Sequence, residues 1–247
     1  MAGFFITGTD TDVGKTIVTG LISAALNKRG TNTIPYKPVQ SGSFFRENQL
    51  YAPDVDTYEK MNNKAFPQSS TYLLEAPVSP HLAARWDTVT VKEDKIYTDY
   101  LHLSNACDCI LVEGAGGVAV PIIDENYCVS DLMKDLKLPV IVVARAGLGT
   151  INHTTLTVHY IRQLGLPITG IIMNGFENSE KQAQQENVNM IEKMTNVPVI
   201  GQLPFVQKIE QFLDNEELIL SLIEQINIEF LIKMWREQTN ERSKQLG

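Results

Sequence analysis

The chain of 247 residues has little of several features that mark secreted, membrane or nucleic-acid-binding proteins. Its three cysteines are few and odd in number, which argues against a disulfide framework and indicates a reducing, cytoplasmic compartment. No uninterrupted apolar run approaches the roughly 18 residues that a membrane helix requires. The first residues lack the basic start of a signal peptide, and the opening apolar stretch soon meets Asp10 and Asp12.

Positive charge is also scarce. The chain has 21 Lys and Arg residues against 29 Asp and Glu residues, which gives a net charge of −8. A nucleic-acid partner requires a basic face that displaces counterions, so this balance argues against one. The content of 43% hydrophobic and 20% charged residues is typical of a globular protein with a sizeable core.

The most informative feature is an apolar run followed by a glycine-bounded loop, Phe4-Phe5-Ile6-Thr7-Gly8-Thr9-Asp10-Thr11-Asp12-Val13-Gly14-Lys15-Thr16. A strand, a tight turn and a helix in this order point backbone N–H groups and a helix dipole at a phosphate. Lys15 can then reach the β- and γ-phosphates, and the Thr16 hydroxyl can bind magnesium. Gly8 and Gly14 enclose five residues where the usual pattern has four between its first Gly and the Gly-Lys pair. A glycine-rich turn without a ligand is the alternative, which the flanking strand and helix patterns disfavour.

Strand-like and helix-like segments alternate along the chain. Strands are predicted over residues 4–7, 32–38, 109–112, 139–144, 168–173 and 197–203. Helices are predicted over residues 14–28, 152–164 and 179–194. Continuous β-branched runs indicate strands buried on both faces, and βα alternation indicates a parallel sheet between helices.

These elements predict the fold class and the domain organisation. The expected fold is a single-domain, three-layer α/β fold of the P-loop NTPase type, with a mostly parallel central sheet and helices on both faces. One domain spans residues 1–247, with an extra helical tail over about 215–247 whose apolar stripe packs on the body or on another subunit. Residues 43–87 are predicted as loops with a short helix, and a segment this long is usually functional.

A second chemical cluster follows the second predicted strand. Lys37 places another cation near the phosphate loop, because ligands in such sheets bind beyond the carboxyl ends of the strands. Pro38 and Gly42 punctuate the segment, and the Ser41 and Ser43 hydroxyls favour a shaped anion-binding turn. A surface lysine is the alternative.

Two acidic residues are candidates for a metal site. Glu113 closes a buried-looking strand just before four small residues, where P-loop enzymes place an acidic magnesium ligand. A solvated glutamate at a strand end is the alternative. Asp54 lies in the irregular region and is not specific by itself. Together with Thr16, these carboxylates predict an oxygen-rich magnesium site.

Three motifs, in this order, resemble the dethiobiotin synthetase family. They are Thr7-Gly8-Thr9-Asp10-Thr11-Asp12-Val13-Gly14-Lys15-Thr16, Tyr36-Lys37-Pro38-Val39-Gln40-Ser41-Gly42 and Val112-Glu113-Gly114-Ala115-Gly116-Gly117. Further matches are Ser79-Pro80-His81, Leu148-Gly149-Thr150-Ile151-Asn152-His153 and Met173-Asn174. The resemblance spreads from residue 4 to about residue 205, and the five-residue loop spacing is this family's own form. Members often carry Glu where Asp12 stands, which keeps the charge but gives Asp12 a shorter reach.

The resemblance implies an ATP- and magnesium-dependent ligase of biotin biosynthesis. Its substrates would be diaminopelargonate, carbon dioxide (or bicarbonate as its source) and ATP. One amine takes up carbon dioxide as a carbamate, ATP phosphorylates the carbamate, and the second amine closes a cyclic urea. The products are dethiobiotin, ADP and phosphate. The family also implies a homodimer with shared active sites.

The resemblance further implies a role for each matching residue. Lys15 and Lys37 would stabilise the transferring phosphoryl group and the carbamate, and Thr11 and Ser41 would donate hydrogen bonds to them. Magnesium would be held by Thr16, Asp54 and Glu113. The nucleotide would be contacted by Asp12, Val13, Gly14, Lys15, Thr16, Glu113, Gly116, Asn174 and Pro204. Among these, Asn174 would face the adenine. The diamine would be contacted by Asp12, Lys37, Ser41, Thr150, Ile151 and Asn152.

The resemblance also implies how two of these contacts recognise the diamine. Asp12 would attract the ammonium groups of the diamine. The turn at residues 149–153 would reach the substrate's carboxylate across a dimer interface, with Asn152 and the helix N-terminus as donors.

Other functions on the same fold stay open at this stage. A partitioning-type P-loop switch ATPase carries an extra lysine early in the loop, where this chain has Asp10. A corrinoid-type amide synthase adds a glutamine-hydrolysing domain, and no segment of that size follows residue 205. A nucleotide-binding module without catalysis is disfavoured by Lys15, Lys37 and Glu113.

Overall fold

A computed structural model describes residues 2–207 and 209–245 of the chain. Nine strands occur in these residues: β1 Gly3–Gly8, β2 Thr33–Gln40, β3 Phe44–Arg46, β4 Gln49–Tyr51, β5 Ser70–Leu73, β6 Cys109–Gly117, β7 Val140–Arg145, β8 Ile168–Phe176 and β9 Val199–Pro204. Seven of them form one sheet in the order β5-β2-β6-β1-β7-β8-β9, and each neighbouring pair is parallel. β3 and β4 pair separately as an antiparallel hairpin.

The helices lie on both faces of the sheet. They are α1 Lys15–Lys28, α2 Pro53–Asn62, α3 Pro80–Trp86, α4 Glu93–Asn105, α5 Val129–Leu136, α6 Thr150–Gln163, α7 Lys181–Thr195, α8 Ile209–Leu213, α9 Glu216–Ile223 and α10 Ile228–Gln245, with a short 3-10 turn over Asn178–Glu180. Side chains of α3 to α7 join one apolar core, and side chains of α1, α2 and α8 to α10 join the other. Adjacent β1 residues divide between the cores, Phe5 in the first and Phe4 in the second. The predicted three-layer α/β fold is therefore confirmed.

The prediction of loops with one short helix over residues 43–87 is wrong. The segment holds the β3–β4 hairpin, α2, the edge strand β5 and α3. The pattern is hard to read in the sequence because α2 buries only Tyr58 and Met61. Its start instead carries local signals, with Pro53 at the first position and acidic residues in the first turn, where they favour the helix dipole.

The C-terminal helices α8 to α10 pack on the same face of the sheet as α1, and α10 reaches the starts of β1 and β6, away from the strand carboxyl ends. Trp235 Nε1 donates to Asp108 O at 3.1 Å, just before β6, and the Gly3 N–H at the start of β1 donates to Gln238 Oε1 at 3.2 Å. The backbone between α9 and α10 also bonds to the edge strand β9, with Asn227 N–H donating to Ile200 O at 2.7 Å. Within the described ranges, no helix is both long and apolar enough to cross a membrane.

Candidate active site

The phosphate loop connects β1 to α1 and is held from three sides. Asn174 Nδ2, on β8, donates to Val13 O at 2.9 Å. Thr9 N–H donates to Val143 O at 3.0 Å, at the end of β7. Arg145 Nη2 donates to Thr11 O at 3.1 Å. The neighbouring strand ends thus fix the loop backbone, while Thr11 and Asp12 lie exposed at its tip.

Lys15, the first residue of α1, is buried below this loop. Its Nζ donates to Asp10 O at 3.0 Å. Burial and the nearby charge of Lys37 lower the pKa of Lys15 to about 8. A buried ammonium with so low a pKa is stabilised by an incoming anion, as expected of a phosphate-binding lysine.

Lys37 lies on β2 between two carboxylates from different elements. Its Nζ is 2.6 Å from Asp54 Oδ2 and 2.7 Å from Glu113 Oε1, and it also donates to Gly114 O at 3.2 Å. The side chain is only 6% exposed. Burial lowers the pKa of Lys37, but the charges of Asp54 and Glu113 outweigh it and raise the pKa above its ordinary value. Lys37 is therefore expected to stay protonated between these two carboxylates.

Oxygen ligands converge beside this ammonium. Thr16 Oγ1, from α1, donates to Glu113 Oε1 at 3.1 Å. Burial opposes ionisation of Asp54, but the Lys37 charge and hydrogen bonds to Lys37 and Thr16 hold the pKa of Asp54 below its ordinary value. One hydroxyl and two carboxylates suit a hard divalent cation such as Mg²⁺, which binds one or two carboxylates and fills its remaining positions with phosphate oxygens and water.

The structure adds a site residue that the sequence analysis missed. Tyr58 on α2 is fully buried, and its hydroxyl donates to Glu113 Oε2 at 2.5 Å. Burial, together with the charges of Glu113 and Asp54, raises the pKa of Tyr58 well above its ordinary value, so the hydroxyl keeps its proton. A helical reading of residues 53–62 would have revealed it, because Asp54 and Tyr58 are one turn apart on a helix.

The predicted anion-binding turn after β2 lies next to α2. Gln40 Oε1 accepts a hydrogen bond from Asp54 N–H at 3.3 Å. Ser41 Oγ is buried and has no hydrogen-bond partner among the described residues. A buried hydroxyl without a partner is unfavourable, so Ser41 is suited to donate to a ligand oxygen.

Other predicted site residues lie at neighbouring strand ends. Gly116 has a φ of 64°, and a Cβ added to it would lie 3.5 Å from Thr11 Oγ1, so Gly116 is next to the loop tip. Pro204 is exposed at the end of β9. It borders a cleft of about 330 Å³ whose lining includes Phe176, Lys181, Gln202 and Leu218.

The turn before α6 is separate from the group formed by Lys37, Asp54 and Glu113, here called the Lys37 cluster. Gly149 caps the helix with a φ of 89°. Thr150 is buried, and its hydroxyl shares a 3.3 Å hydrogen bond with Thr154 Oγ1. Ile151 is half-buried and Asn152 is exposed. In the part of the chain that the structure describes, no hydrogen bond or ion pair joins this turn to Lys37, Asp54 or Glu113.

Several known proteins resemble this chain over most of its length. The family described as AAA domain matches residues 2–212. An ATP-dependent dethiobiotin synthetase BioD from Anoxybacillus flavithermus is 52% identical over 204 residues, which cover 83% of this chain and 92% of the relative. Proteins of the same name from Halalkalibacterium halodurans and Bacillus subtilis are 41% and 36% identical. These matches cover 87% and 94% of this chain, and 89% and 98% of the relatives.

Solved structures share the fold at much lower identity. A ParA family ATPase from Chlorobium tepidum superposes with a TM-score of 0.59 at 13% identity, over 94% of this chain and 99% of that chain. The MinD cell division protein of Aquifex aeolicus gives a TM-score of 0.58 at 16% identity, over 97% and 98%. At such low identity the likeness establishes the fold alone.

Proposed function

The chain belongs to the ATP-dependent dethiobiotin synthetases, and we propose that it closes the cyclic urea of dethiobiotin from diaminopelargonate, carbon dioxide and ATP. It is then an ATP-dependent cyclo-ligase of biotin biosynthesis that forms carbon–nitrogen bonds. The observation that carries the proposal is the Lys37 ammonium, held between Asp54 and Glu113 beside a phosphate loop. A nucleotide switch needs the loop, but it has no need of this second buried cation.

The reaction has three bond-forming steps. One amine of the substrate attacks carbon dioxide, and the new carbon–nitrogen bond gives a carbamate as the amine loses a proton. A carbamate oxygen then attacks the γ-phosphorus of ATP, and ADP leaves. The second amine attacks the activated carbonyl carbon, phosphate leaves, and the urea ring is closed.

The side chains of the site stabilise and position these groups. Lys15 and Lys37 supply positive charge where negative charge spreads over the phosphoryl and carbamate oxygens. Thr11 and Ser41 donate hydrogen bonds, and the unpartnered Ser41 hydroxyl supports this role. Asp12, at the exposed loop tip, attracts the ammonium groups of the diamine. Much of the acceleration comes from holding the reacting atoms in line.

The donor set also favours a magnesium ion at Thr16, Asp54 and Glu113. Bound there, the ion would neutralise charge on the phosphate oxygens. These residues fit it because all three donors are oxygen atoms and Asp54 is held as a carboxylate. Lys37 contacts both carboxylates, so its ammonium group would lie next to a bound ion.

The nucleotide is expected to lie across the carboxyl ends of the strands. The phosphates would contact the backbone of Asp12, Val13 and Gly14, the side chains of Lys15 and Thr16, and the neighbouring Glu113 and Gly116. The base would lie near Asn174 and Pro204, beside the cleft at the ends of β8 and β9. Asn174 would then serve twice, because its amide also holds the loop at Val13.

We assign the substrate carboxylate to the turn at Thr150, Ile151 and Asn152 of a second copy of the chain. The wholly exposed Leu148 and the exposed Leu156 and Tyr160 on and before α6 support a homodimer at this face. The separation of this turn from the Lys37 cluster within one chain agrees with a shared site. Since ATP is a cytoplasmic metabolite, we place the reaction in the cytoplasm.

The test is phosphate release from ATP with magnesium and bicarbonate, with and without diaminopelargonate, together with detection of dethiobiotin. The expected result is phosphate release that requires the diamine and matches dethiobiotin formation one to one. ATP turnover indifferent to the diamine, or no turnover, would contradict the proposal and favour a partitioning-type switch. A requirement for DNA or a protein partner would then identify the switch.

A further inference from the structure

Tyr58 is a buried polar side chain in the site, and the roles given above to the phosphate loop and to Lys37 do not explain its position. Its hydroxyl donates to Glu113 Oε2 at 2.5 Å. The other oxygen of the same carboxylate, Oε1, accepts from Lys37 at 2.7 Å and from Thr16 at 3.1 Å. The two oxygens of Glu113 thus have separate sets of donors.

Asp54 and Tyr58 reach the site from one face of α2. They are one helical turn apart, so their side chains project in the same direction. Asp54 contacts Lys37, and Tyr58 contacts Glu113. A single helix therefore supplies a partner to each member of the buried Lys37–Glu113 pair.

Tyr58 is also tied to the helix that begins with the phosphate-loop lysine. Asn62 Nδ2 donates both to Tyr58 O, at 2.8 Å, and to Ser23 Oγ on α1, at 2.9 Å. Asn27 Nδ2, also on α1, donates to Asn62 Oδ1 at 2.9 Å. The position of Tyr58 is thus coupled to α1 by side-chain hydrogen bonds.

From these contacts we propose that Tyr58 is a positioning residue for the synthetase reaction. Its hydroxyl sets the rotation of the Glu113 carboxylate so that Oε1 faces Thr16 and Lys37. The inference rests on the proposed function of the Lys37 site. Glu113 is 1% exposed, so an oxygen of its carboxylate that loses a donor has no solvent to replace it. A carboxylate free to rotate would divide its oxygens between Lys37 and other groups, and it would bind a cation less well.

The test replaces Tyr58 by Phe, which keeps the ring and removes the donor. Binding of a non-hydrolysable ATP analogue is measured by calorimetry with and without magnesium, beside turnover in the full assay. The magnesium effect is the gain in affinity for the analogue when magnesium is added. We expect this effect to fall roughly 10- to 100-fold, as is usual when a metal-ligating carboxylate loses a hydrogen-bond partner. The value of kcat should fall by a similar factor. The affinity without magnesium should stay within a factor of about two, because Tyr58 makes its contact with Glu113 and not with the phosphate loop.

The matched control is Tyr36→Phe. Tyr36 is equally buried, and its hydroxyl contacts Thr71 Oγ1 and Ile96 O rather than the site. This variant loses a buried hydroxyl but should keep the magnesium effect of the parent. If both variants lose the magnesium effect in proportion to their loss of thermal stability, Tyr58 is only structural and the proposal is overturned.

Two further measurements complete the test. A double-mutant cycle with Glu113→Gln should show that Tyr58→Phe no longer changes the magnesium effect, since Tyr58 acts through Glu113. An unchanged magnesium effect in Tyr58→Phe alone would overturn the proposal. If the Phe variant is too unstable, 4-fluorophenylalanine at position 58 fills the hydroxyl volume with an atom that cannot donate, and the same outcomes apply. Because analogue binding needs no diamine, this readout is separate from failure of the parent chain to make dethiobiotin.

Discussion

A Cβ atom added to Gly14 would lie 2.0 Å from Nδ2 of Asn174, a residue of a different strand. Gly14 also has a φ of 95°, a left-handed backbone conformation that residues other than glycine rarely adopt. The Asn174 amide reaches this close because it donates to Val13 O, so the end of β8 holds the phosphate loop in shape.

We therefore expect Asn174→Asp to weaken phosphate binding as well as base binding. The change replaces the donor to Val13 O with a charged oxygen, which the carbonyl repels. Affinity for inorganic tripolyphosphate, which has no base, should fall at least about 10-fold, close to the loss of one hydrogen bond to a buried acceptor. Competition against a fluorescent nucleotide measures the affinities for ATP and for tripolyphosphate.

Asn187→Asp is the control for this prediction. Asn187 Nδ2 donates to Ala146 O at 3.1 Å, a similar contact outside the phosphate loop. This variant should bind tripolyphosphate like the parent. Normal tripolyphosphate binding in Asn174→Asp, with only ATP binding reduced, would mean that Asn174 serves the base alone.

Replacing Lys37 by Met should abolish most turnover and leave nucleotide binding nearly intact. The aliphatic stem remains, but the charge that we propose stabilises the transition state is lost, so kcat should fall at least about 100-fold. Steady-state kinetics and nucleotide titration measure the two effects. Turnover within a few-fold of the parent would contradict the role given to Lys37.

The same variant should be less stable, because Asp54 and Glu113 would remain as buried carboxylates without their cation. Breaking such a pair costs about 3–5 kcal/mol. Magnesium should restore more stability to this variant than to the parent. Lys28→Met, which breaks the solvent-exposed Lys28–Glu216 ion pair, should leave the free energy of unfolding nearly unchanged. Thermal melts with and without magnesium test both statements.

Nucleotide affinity should fall as the pH rises past about 8, the pKa of Lys15. In the proposed function the ammonium form of Lys15 binds phosphate, and burial makes it lose its proton at a lower pH than an ordinary lysine. Binding at pH 8 should therefore take up a fraction of a proton, which calorimetry in buffers of different ionisation enthalpy measures. Lys15→Arg should lose this pH dependence, because arginine stays charged throughout. A flat affinity for the parent from pH 7 to pH 9.5 would contradict the prediction.

Gly3→Ala should destabilise the centre of the sheet. A Cβ added there would lie 2.0 Å from the backbone oxygen of Ile110, its parallel partner on β6. Relief requires the two strands to separate, at a cost of about 1–3 kcal/mol or more. Gly147→Ala, where nothing lies within 4 Å of the added atom, should be close to neutral. Urea unfolding of the two variants tests the difference.

Some of the site could be predicted from the sequence because its chemistry is local. Lys15 and Thr16 follow directly from a strand, a turn and a helix, and each of these has its own pattern in consecutive residues. The long apolar runs around Val112 and Val142 likewise predict strands buried on both faces. Motifs of this kind also identify the family to which the chain belongs.

Other parts of the site could not be predicted because their signals are weak or distant. α2 buries few apolar side chains, so the pattern of residues 53–62 looks irregular and does not point to Tyr58 as a site residue. The role of Asn174 in holding the loop depends on the neighbouring ends of β1, β7 and β8, which no local pattern specifies. The assignment of individual site residues to substrates stays a prediction for the experiments above.

The phosphate loop, the alternation of strands and helices, and the family can all be predicted from consecutive residues, since each depends on residues that are close together in the chain. The meeting of Lys37, Asp54 and Glu113 at one point depends instead on tertiary packing. They come from β2, α2 and β6, and they meet because β2 and β6 are parallel neighbours and α2 packs on α1 beside them. The pairing of strands is set by packing over the whole sheet, where distant residues compete for the same contacts, and local patterns do not contain that information.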